Sequence, residues 1–332
     1  MIPEKILNSL KNSNALVTGG TGLIGRQVVE LLEEAGAHVR IVSLDRLRVS
    51  GKAEHVYGDL TDFSFCRDTV KGMDYVFHLA GIKGSIEVTK ARPASFFVPL
   101  LMMNTNLLEA CRLQGVKRTV YTSSIGAYPS AEIFREDDDH ADAPPMDFFP
   151  GWAKRMAELQ LKSYQLEYGH ENFAVVRPSN VYGPGDNFDP ENAMVIPSLI
   201  ARVFRKENPV MIWGDGSAVR DFVYSRDAAE GVILALIHGT APGFVNIGSG
   251  EGVSIRGLVE TLRTVTPFEY QFDIDKSSGF PRRVMDITRA RQKIGYAPSV
   301  SLAEGLKKTC DWFMAHKDEY LLRKNYFADA AS

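Results

Sequence analysis

A doubly wound parallel α/β sheet carrying a smaller C-terminal portion is the fold class this sequence predicts, on three observations. From residue 15 to about 124, short β-branched runs alternate with amphipathic stretches, the pattern of βαβ units. The first run turns through Thr18-Gly19-Gly20-Thr21-Gly22-Leu23-Ile24-Gly25 straight into a helical pattern. Past Pro178 the Pro and Gly content rises and strand signals become short and scattered, as in a lid attached to the sheet. A chain of 332 residues with 45% hydrophobic content can enclose one large or two medium domains. The sheet domain is expected over 1–177, with contributions from about 217–250, and the second portion over 178–332.

The elements follow in order. Strands are expected at 15–18, 39–44, 55–57, 75–79 and 118–122. The helix at 25–35 is read from Val28, Val29, Leu31 and Leu32, an inward face at helical spacing, and a second helix at 104–114. The Pro- and Asp-rich segment 136–150 reads as an exposed loop. A helix then runs from near Trp152 to Tyr168 and is apolar on more than one side, through Met156, Leu159, Leu161, Tyr164, Leu166 and Tyr168. Two apolar faces imply either a subunit interface or burial within the core. The charged stretch 316–324 reads as an exposed final helix.

Composition excludes several classes of function. Lys+Arg at 38 against Asp+Glu at 41 leaves a net charge of -3, so no overall field draws nucleic acid or an anionic membrane. Cys66, Cys111 and Cys310 are odd in number and far apart, fitting neither a disulfide framework nor zinc spacing. Asp137-Asp138-Asp139-His140 is contiguous, whereas metal ligands must converge, so no metal is expected. With neither a signal-peptide pattern nor an apolar run near the ~20 residues that span a bilayer, a cytoplasmic protein is expected.

The glycine run carries the first chemistry. A turn this tight needs permissive backbone angles, and a backbone that approaches a pyrophosphate must lack Cβ atoms. The helix start that follows offers free N–H groups and partial positive charge. Gly19, Gly22, Leu23, Ile24 and Gly25 are therefore candidate cofactor residues, and Asp45, about 20 residues beyond Gly25, is placed to accept the adenine-ribose hydroxyls. A carboxylate there repels a 2′-phosphate and favours NAD over NADP, although Arg46 and Arg48 could neutralise one.

Further motifs come in order: Gly58-Asp59-Leu60, His78-Leu79-Ala80-Gly81, Asn104 within Met103-Asn104-Thr105-Asn106, Thr122-Ser123-Ser124, Arg177-Pro178-Ser179-Asn180-Val181-Tyr182-Gly183-Pro184 and Arg220-Asp221-Phe222-Val223. In this series the chain resembles the extended short-chain dehydrogenase/reductase family that modifies nucleotide sugars, a Rossmann-type fold, and the likeness covers nearly its whole length. Asp186-Asn187-Phe188-Asp189-Pro190, Val195-Ile196-Pro197, Trp213-Gly214-Asp215-Gly216 and the segment from Pro281 to Thr288 look most like GDP-fucose synthase relatives. The resemblance implies a GDP-sugar substrate. It implies adenine contacts at Asp59 and Leu60 and cofactor contacts at Leu79, Ala80, Gly81 and Asn104. It places Asn180, Val195, Arg202, Trp213 and Arg220 around the substrate, the two guanidinium groups suiting phosphate oxygens. A homodimer through the helices at 104–114 and 152–168 is implied as well. His78, by motif position beside the cofactor, is expected to be a packed histidine.

In this family a tyrosine exchanges the sugar hydroxyl proton while a lysine four positions later holds the nicotinamide ribose, and a serine orients the oxygen. Lys154 starts the right helix, and Ser123 and Ser124 fit the serine role. Four residues before Lys154 stands Pro150, which has no proton to exchange, and no tyrosine occurs between Tyr128 and Tyr164. The cysteine and histidine that fucose synthase relatives use for 3,5-epimerisation are also absent, Ile125-Gly126-Ala127 and Met194 standing there. Three readings stay open. The chain is an NAD-dependent epimerase or dehydrogenase whose proton passes through Ser124, Tyr128 or a water on Lys154; or it does slow, even single-turnover, chemistry on a tightly held cofactor; or it is a dinucleotide- and nucleotide-sugar-binding sensor or assembly subunit. Tyr128 has the alternative of packing structurally on its loop.

Overall fold

The computed structural model describes residues 2–82, 84, 86–139, 142–189, 192–316 and 319. In chain order the strands are β1 Asn14–Thr18, β2 His38–Ser43, β3 Glu54–Tyr57, β4 Tyr75–His78, β5 Arg118–Thr122, β6 Ile133–Phe134, β7 Phe173–Pro178, β8 Asn180–Tyr182, β9 Val210–Trp213, β10 Val219–Arg220, β11 Phe222–Tyr224, β12 Val245–Ile247, β13 Val253–Ser254, β14 Tyr270–Asp273 and β15 Arg282–Met285. The helices are α1 Glu4–Leu10, α2 Leu23–Glu34, α3 Phe63–Val70, α4 Ile86–Ala91, α5 Pro93–Leu113, α6 Phe148–Tyr168, α7 Val195–Phe204, α8 Ser225–His238, α9 Ile255–Val265, α10 Thr288–Ile294 and α11 Leu302–Ala315.

Seven strands make the central sheet in the order β12-β7-β5-β4-β1-β2-β3, every pair parallel. Alternation along each strand sends neighbours to opposite faces. Ala15, Val17, Phe77 and Val120 meet α2, α8 and α10 in one core. Leu16, Val76 and Tyr121 meet α3, α5 and α6 in the other. Helices therefore cover both faces, which is why these strands read as continuous apolar runs. A third core joins α7, α9 and α11 to β9 in the C-terminal portion. There the short strands form a four-stranded sheet β13-β10-β15-β6 and two pairs, β11-β8 and β14-β9. Strand β12 pairs with β7 at one edge of the central sheet, and helix α8 packs in the core on one of its faces.

Two boundaries differ from expectation. Helix α5 begins at Pro93 rather than Asn104 and carries Pro99 inside it; proline at the helix start has a preset φ, and the internal one broke the pattern on which the boundary was read. Helix α6 begins at Phe148, so Pro150 belongs to its first turn rather than to the preceding loop. In a first turn the missing N–H of proline leaves no intrahelical bond unmade. On the second apolar face, α6 exposes Leu159, Leu166 and Tyr168, and α5 exposes Val98, Met102 and Leu113. His140 and most of the 316–324 stretch lie outside the described residues. Among the described residues no helix is long and apolar enough to cross a membrane, and no acidic, His or Cys cluster could hold a metal ion.

Candidate active site

The sheet order reverses direction between β1 and β4, and helix α2, after β1, and helix α5, after β4 and α4, lie on opposite faces. Such a switch point opens a crevice at the carboxyl ends of the strands. Gly19 follows β1 at φ +67°, and a Cβ there would stand 2.8 Å from the Ala80 Cα on the loop after β4. Glycine is thus what lets the two loops meet across the crevice. A Cβ on Gly25 would stand 2.1 Å from the Gly19 carbonyl oxygen, so the first turn of α2 can seat against the loop only without a side chain. Gly22 is the N-cap and α2 has no side-chain cap, leaving the first N–H groups, at Leu23, Ile24 and Gly25, directed to the crevice. This glycine cradle fits a dinucleotide pyrophosphate.

Asp45 lies just past β2, half-buried, its carboxylate accepting the Thr21 hydroxyl at 3.4 Å. Arg46 and Arg48 are exposed. The Asp59 carboxylate accepts the Thr61 N–H at 2.9 Å and stays exposed, while Leu60 is buried beneath it. Leu79 and Ala80 are half-buried on the loop and donate their N–H groups to Thr18 Oγ1 at 3.2 and 3.3 Å.

Beneath these loops runs a buried polar chain. The Thr18 hydroxyl meets His78 Nδ1 at 2.9 Å, His78 Nε2 meets Asn104 Oδ1 at 3.0 Å, and Asn104 Nδ2 donates to the Tyr121 hydroxyl at 3.0 Å. Because an amide oxygen only accepts, the imidazole proton sits on Nε2 and Nδ1 accepts from Thr18. Burial, reinforced by the charge of Lys154, pushes His78 down to about 3, so it stays neutral. His78 is packed, as expected. Asn104, expected to touch the cofactor, is fully buried and acts through this chain, holding the ends of β1, β4 and β5 in place.

Lys154, on α6, donates to the Thr122 carbonyl at 2.7 Å and lies beside Gly81, where a Cβ would be 3.8 Å from Nζ. Burial pulls its ammonium down to about 8, against the opposing pull of Glu158. The serines diverge. The Ser124 side chain is half-buried and accepts the Gly126 N–H at 3.0 Å. Ser123 turns inward and donates to Glu158 at 2.5 Å. Glu158 takes both Nε and Nη2 of Arg177, at 2.9 and 2.6 Å, and Asp139 bridges Arg177 to Arg155. Arg177 is fully buried between the Tyr128 and Phe244 rings. Burial works against its charge, but Glu158 and Asp139 outweigh it and keep it protonated.

Tyr128 is not brought to the crevice. It is 2% exposed, donates to Asn246 at 2.9 Å, and burial drives its phenol well above the usual tyrosine range. Of the alternatives the sequence left open, the packed tyrosine is the one its surroundings match.

On the substrate side, Asn180 donates to the Asp221 carbonyl at 2.9 Å and Val195 opens α7. Trp213 ends β9 about half exposed, with Lys276 Nζ 5.8 Å from its ring. Arg202 is held by Glu207 on both sides of its fork, its Nε at 2.8 Å. Arg220 is directed by the Val219 and Ser278 carbonyls, at 2.8 and 3.1 Å. Across the strand register from it stands Arg283, stacked 4.0 Å from the Phe280 ring, with its buried Nε lacking a hydrogen-bond partner among the described residues. Burial and then the charge of Arg283 lower Arg220 to about 10, and burial lowers Arg283. Two cations so placed, with a donor left over, suit an anion.

Reading the sequence missed Arg283 as a site residue, and also Asp147, Glu158 and Asp221. Asp221 is fully buried and accepts from Ser179, Ser249, Gly250 and Met285, pinning three distant segments behind Arg220. The motif containing Asp221 was visible, but its partners lie as many as 64 residues away.

Comparison with known proteins agrees with this geometry. The family model described as the NAD dependent epimerase/dehydratase family matches residues 15–248. GDP-L-fucose synthase 1 of Arabidopsis thaliana is 30% identical over 314 residues, covering 92% of this chain and 94% of its own. A dTDP-4-dehydro-6-deoxy-D-allose reductase of Streptomyces bikiniensis is 31% identical, covering 91% and 96%. Among solved structures, the UDP-glucose 4-epimerase of Thermotoga maritima with UDP-glucose superposes with a TM-score of 0.82 at 30% identity, over 92% of this chain and 99% of its own.

Proposed function

Because the chain belongs to the NAD dependent epimerase/dehydratase family, we propose that it is an NAD-dependent oxidoreductase or epimerase acting on a nucleotide sugar, a GDP-sugar first among the candidates, by hydride transfer at sugar C4. The observation that carries this reading is the meeting of Lys154 with the Thr122 carbonyl at the end of β5 and with Gly81, on the loop whose Ala80 closes against Gly19 of the glycine cradle.

The bound dinucleotide supplies the hydride acceptor and donor. Gly19 to Gly25 hold its pyrophosphate, and Asp45 takes the ribose hydroxyls, which favours NAD. Asp59, Leu60, Leu79, Ala80 and Gly81 line its path. Lys154 would hold the nicotinamide ribose and lend positive charge near the reacting oxygen. Ser124 orients the sugar hydroxyl, and Ser123 holds that loop from behind through Glu158. Arg220 and Arg283 grip the diphosphate, with Asn180, Val195 and Trp213 around the rest of the nucleotide, and Arg202 joins only by leaving Glu207. The exposed apolar faces of α5 and α6 pair two copies of the chain.

Native mass spectrometry of purified protein should reveal a dinucleotide, and a panel of GDP-, UDP- and dTDP-sugars should contain one that changes nicotinamide absorbance. Lys154→Ala should lower that turnover by about 10²–10⁴-fold. Full activity in Lys154→Ala would refute the site.

A further inference from the structure

We propose that Asp147 carries the proton that Pro150 cannot. The inference rests on the nucleotide-sugar reading above and names the group that reading leaves open. Asp147 stands at the N-cap of α6, about two helical turns before Lys154 on the same helix.

Asp147 occupies the N-cap position of α6 but makes no side-chain cap. An aspartate there ordinarily accepts the N–H of the second or third helical residue, and Pro150, the third, has none to give. The carboxylate turns instead onto the loop that carries Ser124. A Cβ on Gly126 would stand 2.3 Å from Asp147 Oδ2, so the absence of a side chain at Gly126 is what admits the carboxylate. The backbone fixes the pair, Asp147 N–H donating to the Gly126 carbonyl at 3.2 Å. On its other side Arg283 Nη2 lies 3.9 Å from Oδ1.

Asp147 therefore stands between the Ser124 loop and the arginine pair. A sugar joining a nicotinamide at Lys154 to a diphosphate at Arg220 and Arg283 must cross this ground. The carboxylate accepts no hydrogen bond from the described residues and its side chain remains 43% exposed, as a group waiting for a ligand hydroxyl would be. Among the described residues, the charged group facing it is Arg283 from β15. Burial raises its carboxyl above the ordinary aspartate value even against Arg283. In the oxidative direction the C–H bond of the carbinol breaks and its hydride passes to the nicotinamide. The O–H bond breaks with it, the proton forming a new O–H bond on the Asp147 carboxylate as the carbonyl forms. The reductive direction returns both.

The test uses the full chain and the nucleotide sugar that the panel identifies. Asp147→Asn should reduce hydride transfer by about 10²–10⁴-fold and remove the acid-side fall of kcat for oxidation, while affinities for NAD and the sugar nucleotide stay within about twofold. Asp147→Glu should recover part of the rate. Independently of turnover, the Asp147 signal in ¹³C-carboxylate NMR, identified by its loss in Asp147→Asn, should titrate above ordinary aspartates and shift when the sugar nucleotide is added. Unchanged turnover in Asp147→Asn beside a collapse in Lys154→Ala, or an Asp147 signal that titrates normally and ignores the sugar nucleotide, would overturn Asp147 and leave the oxidoreductase reading intact. A wild-type chain that binds the ligands but transfers no hydride would defeat both.

Discussion

The two walls of the crevice are built on opposite plans. On the cofactor side, glycines, a neutral histidine and strand ends interlock, and a buried polar chain ties Thr18, His78 and Tyr121 together through Asn104 of α5. On the substrate side, the two-residue strand β10 and the four-residue strand β15 hold Arg220 and Arg283 side by side, and the Asp147 carboxylate lies 3.9 Å from Arg283. The first wall is determined by local backbone geometry and by that hydrogen-bonded chain. The second brings like charges together from distant segments, an arrangement that an anion would relieve.

The contrast can be broken or sharpened by substitution. The largest effect should come from Arg177→Met, which strands Glu158 and Asp139 behind the Ser123 loop; removing one partner of a buried ion pair costs about 3–5 kcal/mol, measurable by urea denaturation. A loss below about 1 kcal/mol would show the cofactor wall to be far less interlocked than its contacts imply. Next comes Gly25→Ala, where overpacking of about 1–3 kcal/mol predicts up to roughly hundredfold weaker NAD binding by calorimetry, with the sugar nucleotide still bound. Smallest is Arg202→Ala, whose exposed pair with Glu207 is worth about 1 kcal/mol or less. Its effect on sugar-nucleotide affinity should fall well under that of Arg220→Ala, and equal losses would put both arginines on the diphosphate.

That contrast also explains what could be read from the sequence. Gly19, Gly22 and Gly25 were legible because a tight turn between strand and helix constrains consecutive residues, and the same holds for the parallel order of the sheet and for Lys154 on its helix. Asn104 was legible as a position but not as a role, since its partner His78 lies 26 residues away. Arg202 and Arg220 looked alike as arginines in matching motifs; only the structure shows one held by Glu207 and the other beside Arg283. Tyr128 could not be sorted from an active tyrosine because the cation over its ring, Arg177, comes from β7. Asp147 was hidden for the same reason: its meaning depends on an empty place at Gly126 on another loop.

The chain from Thr18 to Tyr121 has one further consequence. With Asn104 Oδ1 able only to accept, a single ordering of hydrogens satisfies the row, running from the Leu79 and Ala80 amides toward Tyr121. An imidazole locked in one tautomer at both nitrogens is no proton reservoir. Protons exchanged above it must travel outward to solvent or ligand, because the ground underneath conducts none.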